Sequence, residues 1–154
     1  MASLICGSIA YDTIMNFEGK FADQILPEQI HILNVAFLVP TMRREFGGCA
    51  GNIAYNLHLL GGDAIIMATV GGDAAPYMTH LQDLKIDPTH IRQIDQAFTA
   101  QAMITTDQAN NQITAFHPGA MGESHLNQVS AVVAERSKNS KGPAKFGIVA
   151  PDGR

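Results

Sequence analysis

Cysteine is scarce: Cys6 and Cys49 are the only two in 154 residues, and they form neither a Cys-x-x-Cys pair nor a secreted-type disulfide framework. Two free, buried or half-buried thiols are expected. A basic surplus is missing too. Fourteen acidic residues outnumber ten Lys and Arg, leaving −4 at neutral pH, and the six His do not reverse that sign. A protein that neutralises phosphates along a duplex carries the opposite balance, which argues against nucleic acid as a partner. No apolar run approaches the ~20 residues that span a bilayer. The start, Met1-Ala2-Ser3-Leu4-Ile5-Cys6-Gly7, has no basic leader, and its apolar stretch is interrupted at Asp12, so neither a signal peptide nor a membrane partner is expected. The cytoplasm is the expected location. Two phosphate-binding patterns are absent as well. No Lys-Ser or Lys-Thr follows the glycines at 47–51, which excludes a P-loop there, and they do not follow the Gly-x-Gly-x-x-Gly spacing.

What remains is the material of one globular domain, since 46% hydrophobic residues supply a core for a chain of this length. Residues 4–10 read as a short buried strand ending in a turn at Tyr11-Asp12. Residues 64–70 read as another, apolar on both faces as in a covered parallel sheet. Between them Ile53, Ala54, Leu57 and Leu60 mark one helix face, stopped by Gly61-Gly62. A second helix is expected around 76–84, a third from about Ser124 with Leu126, Val129, Val132 and Val133, and a last core strand over 146–150 after a polar loop at 139–143. The alternation of strand and helix implies right-handed βαβ units. Two stretches depart from it. Residues 13–40, with a strand-like run at 31–39, and residues 97–117, a hairpin turning at 107–111, predict an antiparallel β-layer outside the main sheet.

The most informative segment is Gly47-Gly48-Cys49-Ala50-Gly51-Asn52-Ile53-Ala54, followed by Gly61 and Gly71. Paired glycines let a backbone pass close to a ligand and rotate, and Asn52 is placed to reach a polar ligand. A glycine-rich helix entry with Asn52 as N-cap reads the same residues without any ligand, and on the residues alone that reading is favoured.

The whole spacing from Gly47 to Gly71 resembles the N-terminal signature of the ribokinase-like (PfkB) carbohydrate kinases. Gly7-Ser8-Ile9-Ala10-Tyr11-Asp12 and Val70-Gly71-Gly72-Asp73 agree with it in order. Gly19-Lys20-Phe21, Ile25-Leu26-Pro27-Glu28, Thr105-Thr106-Asp107 and Phe116-His117-Pro118-Gly119-Ala120-Met121 are similar to a bacterial type of adenosine kinase. The resemblance covers this chain but only the first part of a family member. It implies an α/β, ribokinase-like three-layer domain, here incomplete, with a small β-sheet lid from the segments at about 13–40 and 97–117.

It also implies an ATP- and Mg2+-dependent transfer to the 5′-hydroxyl of adenosine, or to a sugar in the ribokinase-like alternative. A further alternative is a truncated ligand-binding domain without catalysis. Asp12 matches the carboxylate that accepts hydrogen bonds from sugar hydroxyls, a task suited to a group that accepts twice and donates nothing. For Asp12 the residues alone also allow a simple turn position. Gly47, Gly48 and Asn52 match further sugar contacts, Ser8 lies beside Asp12 in this set, and Phe116 matches an aromatic that packs on the base. A small-molecule substrate is the implied partner, and the lid is the surface through which a homodimer would form. Ala36 and Ala102 depart from the Ser and Phe usual in this type, and Lys85 stands where Gly commonly ends the helix. The catalytic Asp of the family's Gly-x-Gly-Asp run and its Asn-x-x-Glu motif are expected beyond Arg154. No catalytic residue or metal ligand is therefore assigned here, and Gly61-Gly62-Asp63 and Gly71-Gly72-Asp73 are read as turns. The chain by itself is expected to transfer no phosphoryl group.

Overall fold

The apolar run at 64–70 lies in a strand that is buried from its second residue to its last, as a central parallel strand covered on both faces must be. The computed structural model describes residues 2–138 and 144–153; the polar loop expected over 139–143 lies outside the described residues. In chain order the elements are β1 (Ala2–Cys6), β2 (Ala10–Asn16), β3 (Thr41–Gly47), α1 (Cys49–Leu59), β4 (Asp63–Gly71), α2 (Ala75–Asp83), β5 (Ile91–Ile94), β6 (Ala100–Thr106), β7 (Gln112–His117), α3 (Val129–Lys138) and β8 (Phe146–Val149). Short 3-10 helices occupy Phe21–Asp23, Pro27–Ile32 and Gly119–Leu126.

The first sheet has the order β5-β4-β1-β8 with every pair parallel. On one face Ile5, Ile66, Ala68 and Val70 pack against Ala50 and Ala54 of α1 and Tyr77 and Leu81 of α2. On the other, Leu4, Ile65 and Met67 pack against Val132 of α3. Ile5 and Ile66 are fully buried, and each such side chain contributes about 1.5–3 kcal/mol relative to exposure. This is the three-layer α/β architecture that the sequence implied.

The second sheet, β3-β2-β6-β7, is mixed rather than antiparallel: β2 runs antiparallel to β3 but parallel to β6, and β7 returns antiparallel to β6. Its strands differ from the expectation in two places. Tyr11 and Asp12 do not form a turn. β1 stops at Cys6, residues 7–9 cross to the second sheet, and both residues lie inside β2. Nor is there a strand at 31–39. Ile32 and Leu33 are exposed there and Leu38 is 86% exposed, while Phe37 turns back onto Phe17 and Phe21, with ring centroids 4.9 Å from each. The partner of β2 is Thr41–Gly47, whose residues are exposed up to Phe46. The third helix also starts later than expected. Ala120 N–H donates to Phe98 O at 2.8 Å, a 3-10 helix runs to Leu126, and α3 begins only at Val129 with Val132 turned inward.

Lys85 closes α2 with φ 57°. Its N–H donates to Gln82 O and that of Ile86 to Leu81 O, both at 2.9 Å, which is a Schellman closure that glycine normally occupies. A side chain at positive φ costs about 1–2 kcal/mol, partly offset by the lower unfolded-state entropy of a non-glycine residue. Lys85→Gly should therefore stabilise the fold by up to about 1 kcal/mol, read as a raised urea midpoint; a lowered midpoint contradicts strain at this position.

Candidate functional site

The crossing from the first sheet to the second is gripped by the N-terminus of α1. Ser8 Oγ accepts the Cys49 N–H at 3.1 Å, and Ser8 O accepts the Ala50 N–H at 2.9 Å, so two of the donors that a helix start leaves unpaired are satisfied by the crossing itself. The N-cap is Gly48, at φ 89°. Any Cβ on it would sit 2.6 Å from Ser8 O and 2.7 Å from Ala10 N. Asn52 is thus not the cap. It lies within α1, its N–H bonded to Gly48 O at 3.0 Å, its own carbonyl accepting Asn56 Nδ2 at 2.8 Å. The side chain is exposed and borders a cleft of about 240 Å3 shared with Glu45, Phe46, Tyr55, Tyr77 and His80.

Asp12, half-buried in β2, lays its carboxylate against Gly47, where a Cβ would overlap it. Desolvation by this burial pushes its carboxyl above the usual 3.8. Strand register pairs Asp12 with Glu45 on one side and Ala102 on the other, and Ala102 in turn with Phe116. Glu45, Asp12, Ala102 and Phe116 therefore line one face of the second sheet in a single row. Phe116 is 53% exposed, two strand spacings, roughly 10 Å, from Asp12. Ser8, Asp12, Gly47 and Gly48 are brought together, Phe116 shares their open face, and Asn52 stands one turn further along α1.

Two residues escaped the sequence reading. Tyr77, which falls in the helix expected around 76–84 and has no role assigned there, is buried and donates its phenol to Gly47 O at 2.7 Å. Burial foremost, and then the charges of Asp12 and Tyr11, push that phenol above the ordinary tyrosine range. Asp152 follows β8, next to Pro151, whose carbonyl accepts the Ser8 N–H at 3.2 Å. Burial raises its carboxyl despite the Gly153 N–H it accepts. Its place just beyond the carboxyl end of a parallel strand, where ligands collect in such sheets, was the available signal. Both cysteines are half-buried free thiols as expected, and Cys6 is pushed up by burial first and by the charge of Asp152. Asp73 does belong to a turn: its Oδ1 accepts both the N–H and the hydroxyl of Thr99 at 2.7 Å.

Residues 12–140 match the pfkB family carbohydrate kinase model. The chain is 34% identical over 123 residues to a nucleoside kinase of Methanocaldococcus jannaschii, covering 78% of this chain and 37% of that protein. It superposes on the Burkholderia thailandensis nucleoside kinase in complex with inosine with a TM-score of 0.76 and 55% identity, over 98% of this chain and 45% of the other. The same enzyme in complex with ADP-inosine gives a TM-score of 0.68 at 57% identity, again over 98% and 45%. The chain thus spans less than half the length of the relatives it matches.

Because the folded state favours the neutral acid, whatever stability Asp12 contributes is fully present below its unfolded pKa and is lost as pH rises through its raised folded value. NMR titration of its carboxyl carbon should give a midpoint above 3.8, and Gly47→Ala, which forces the carboxylate outward, should bring it back toward 3.8. A midpoint at or below 3.8 in the unaltered protein removes burial as the governing influence.

Proposed function

The chain belongs to the pfkB family of carbohydrate kinases, and from that premise we propose that it forms the acceptor-binding part of a cytoplasmic, ATP-dependent purine nucleoside kinase, with adenosine as its first substrate. The observation that carries this reading is the row Asp12, Ala102, Phe116 on one open face beside the Gly47-Gly48 turn. An ionised Asp12 accepts hydrogen bonds from two neighbouring ribose hydroxyls, and Gly48 offers a backbone N–H. Phe116 presents a ring for the base, and Ala102 between them leaves room for the glycosidic region. The inosine complex of the similar Burkholderia thailandensis enzyme supports a purine nucleoside as ligand, and its ADP-inosine complex supports a nucleotide donor.

The roles these residues take are binding and orientation. Asp12 holds the diol side of the sugar, which leaves the 5′-oxygen directed away from this carboxylate. The second sheet then acts as a lid that excludes water from the acceptor, and a homodimer would form through its exposed strands. ATP and Mg2+ do not fit the described residues. No group of three or more His, Cys, Asp or Glu side chains among them is placed to hold a metal ion, and no Lys-Ser or Lys-Thr follows the glycines at 47–51. The phosphoryl-donor side is accordingly assigned to none of them. Among the described residues, no helix is long and apolar enough to cross a membrane.

In the full-length protein, Asp12→Ala should weaken adenosine binding by about 1.5–3 kcal/mol, the range for a hydrogen bond to a charged group, with little change in melting temperature. Calorimetric titration with adenosine, inosine, ribose and fructose reads both points. Ribose binding as tightly as adenosine favours the sugar-kinase alternative, and unchanged affinity in Asp12→Ala removes this residue from the site. Since the ionised carboxylate is the acceptor, affinity should fall as pH drops through the raised Asp12 pKa. The 154-residue chain alone should release no ADP from Mg-ATP and adenosine in a coupled assay, because phosphoryl transfer needs a group at the attacking oxygen and donors for the developing charge, and Asp12 grips the opposite side of the sugar. Turnover that rises with chain concentration and vanishes in Asp12→Ala overturns that expectation.

A further inference from the structure

Resting on the nucleoside reading, we infer that Tyr77 is a positioning residue for the acceptor. By holding the Gly47 carbonyl, its hydroxyl turns the Gly48 N–H toward the sugar hydroxyls that Asp12 receives. The first support is peptide geometry. The described chain contains no cis peptide bond, and in a planar trans peptide the carbonyl and the following N–H point in opposite directions. A carbonyl drawn to α2 by a 2.7 Å hydrogen bond therefore sends the Gly48 N–H away from α2. Among the described residues that N–H has no hydrogen-bond acceptor. The second support is the glycine pair. With no Cβ on either side, the Gly47-Gly48 peptide has little steric resistance to flipping, so its orientation depends on what grips it.

The third support is the way Tyr77 itself is held. Its ring packs between Tyr11, at 5.8 Å between centroids, and Phe46, at 5.0 Å, and Phe46 is stacked in turn on His80 at 4.1 Å. The hydroxyl fills the space above Gly51, where a Cβ would collide with it. Burial and the neighbouring Asp12 charge also keep the phenol protonated, so it remains a donor across the working pH range. The ring fixes the hydroxyl, the hydroxyl fixes the peptide, and the peptide presents one donor beside one acceptor.

The test compares adenosine with its 2′-deoxy and 3′-deoxy analogues by calorimetry on the full-length protein, with melting temperature recorded alongside. Tyr77→Phe should lower adenosine affinity about five- to tenfold, the effect of losing one hydrogen bond. That deficit should disappear for the deoxynucleoside lacking the hydroxyl met by Gly48. Gly51→Ala places a methyl where the phenol oxygen sits and should reproduce the loss, although alanine is the better helix former. The double variant, in which the oxygen is gone and the methyl has room, should bind no more weakly than Tyr77→Phe. Should Tyr77→Phe fail to fold, Gly51→Ala carries the same three-ligand comparison. Unchanged adenosine affinity, or an equal loss for all three nucleosides, overturns the inference while leaving the nucleoside reading intact. An unaltered protein that binds no nucleoside overturns that reading and this inference with it.

Discussion

The contact on which the rest of the structure depends is the one between Ser8 and the first turn of α1. A helix start leaves donors without intrahelical partners, and here two of them are taken by the Oγ and the carbonyl of one residue. That residue belongs to the three-residue crossing between β1 and β2, so the same bonds that cap the helix also fix where the second sheet departs from the first. The crossing is packed on both sides: a Cβ at Gly7 would meet Ala150 at 3.0 Å and Ala50 at 3.4 Å, and Ile9 is fully buried. With the start of β2 fixed, Asp12 falls two residues beyond Ala10, opposite Glu45 and beside Ala102, by register alone.

The two sheets are stabilised by different physics. The first is held by burial on both faces. The second is exposed over most of its area, with Met42 69% exposed and β7 exposed throughout, so hydrogen bonds at its ends carry more of the burden. At the near end the Asp73 carboxylate grips the entry to β6 through Thr99, whose hydroxyl oxygen also accepts the Gly71 N–H at 3.0 Å. At the far end Asp107 organises the β6–β7 turn. It accepts N–H groups from Ala109 and Asn111 and reaches across to Phe21 N–H at 2.9 Å. Desolvation pushes this carboxyl up, but the combined hydrogen bonds outweigh it and hold it below the ordinary value. Its stabilising effect is accordingly present above the unfolded Asp value and fades as pH falls through the lowered one.

The parts of the fold legible in the sequence are those where burial writes a pattern. The continuous apolar run of β4 and the spacing of Ala54 and Leu57 in α1 each report a covered surface. The parts missed are those where burial is weak or misleading. β3 carries Arg43, Arg44 and Glu45 because its residues are exposed up to Phe46, so no run of apolar residues marks it as a strand. The run at 31–39 has the composition of a strand but leaves Leu38 in solvent. Of the candidate site, Ser8, Asp12, Gly47 and Gly48 do converge, yet the roles of neighbouring groups were hidden. A phenol on the apolar side of a helix reads as core whether or not its oxygen has a partner. Asn52 resembles a cap until Gly48 is seen at positive φ, four residues before the position first assigned.

The glycines of the 47–71 segment also take on a different meaning. Read from sequence they suggest a supple loop, free to hinge around a ligand. In the fold Gly61 does face open space, but four of the others are pressed by another part of the chain: Gly47 by the Asp12 carboxylate, Gly48 by the backbone of Ser8 and Ala10, Gly51 by the Tyr77 hydroxyl, and Gly71 by the backbone of Phe98 and Thr99. Three of these neighbours, Asp12, Ser8 and Tyr77, are the groups that shape the candidate site, and the fourth contact is where the second sheet is re-entered. The missing side chains therefore serve as sockets for particular atoms. The freedom that glycine brings at these positions is restricted by the same neighbours, so that the orientation of each peptide is set by the groups that grip it. Spacing along the segment then follows from spacing in the fold. Gly47 and Gly51 lie four apart because a carboxylate on β2 and a phenol on α2 approach the same helix start from two directions.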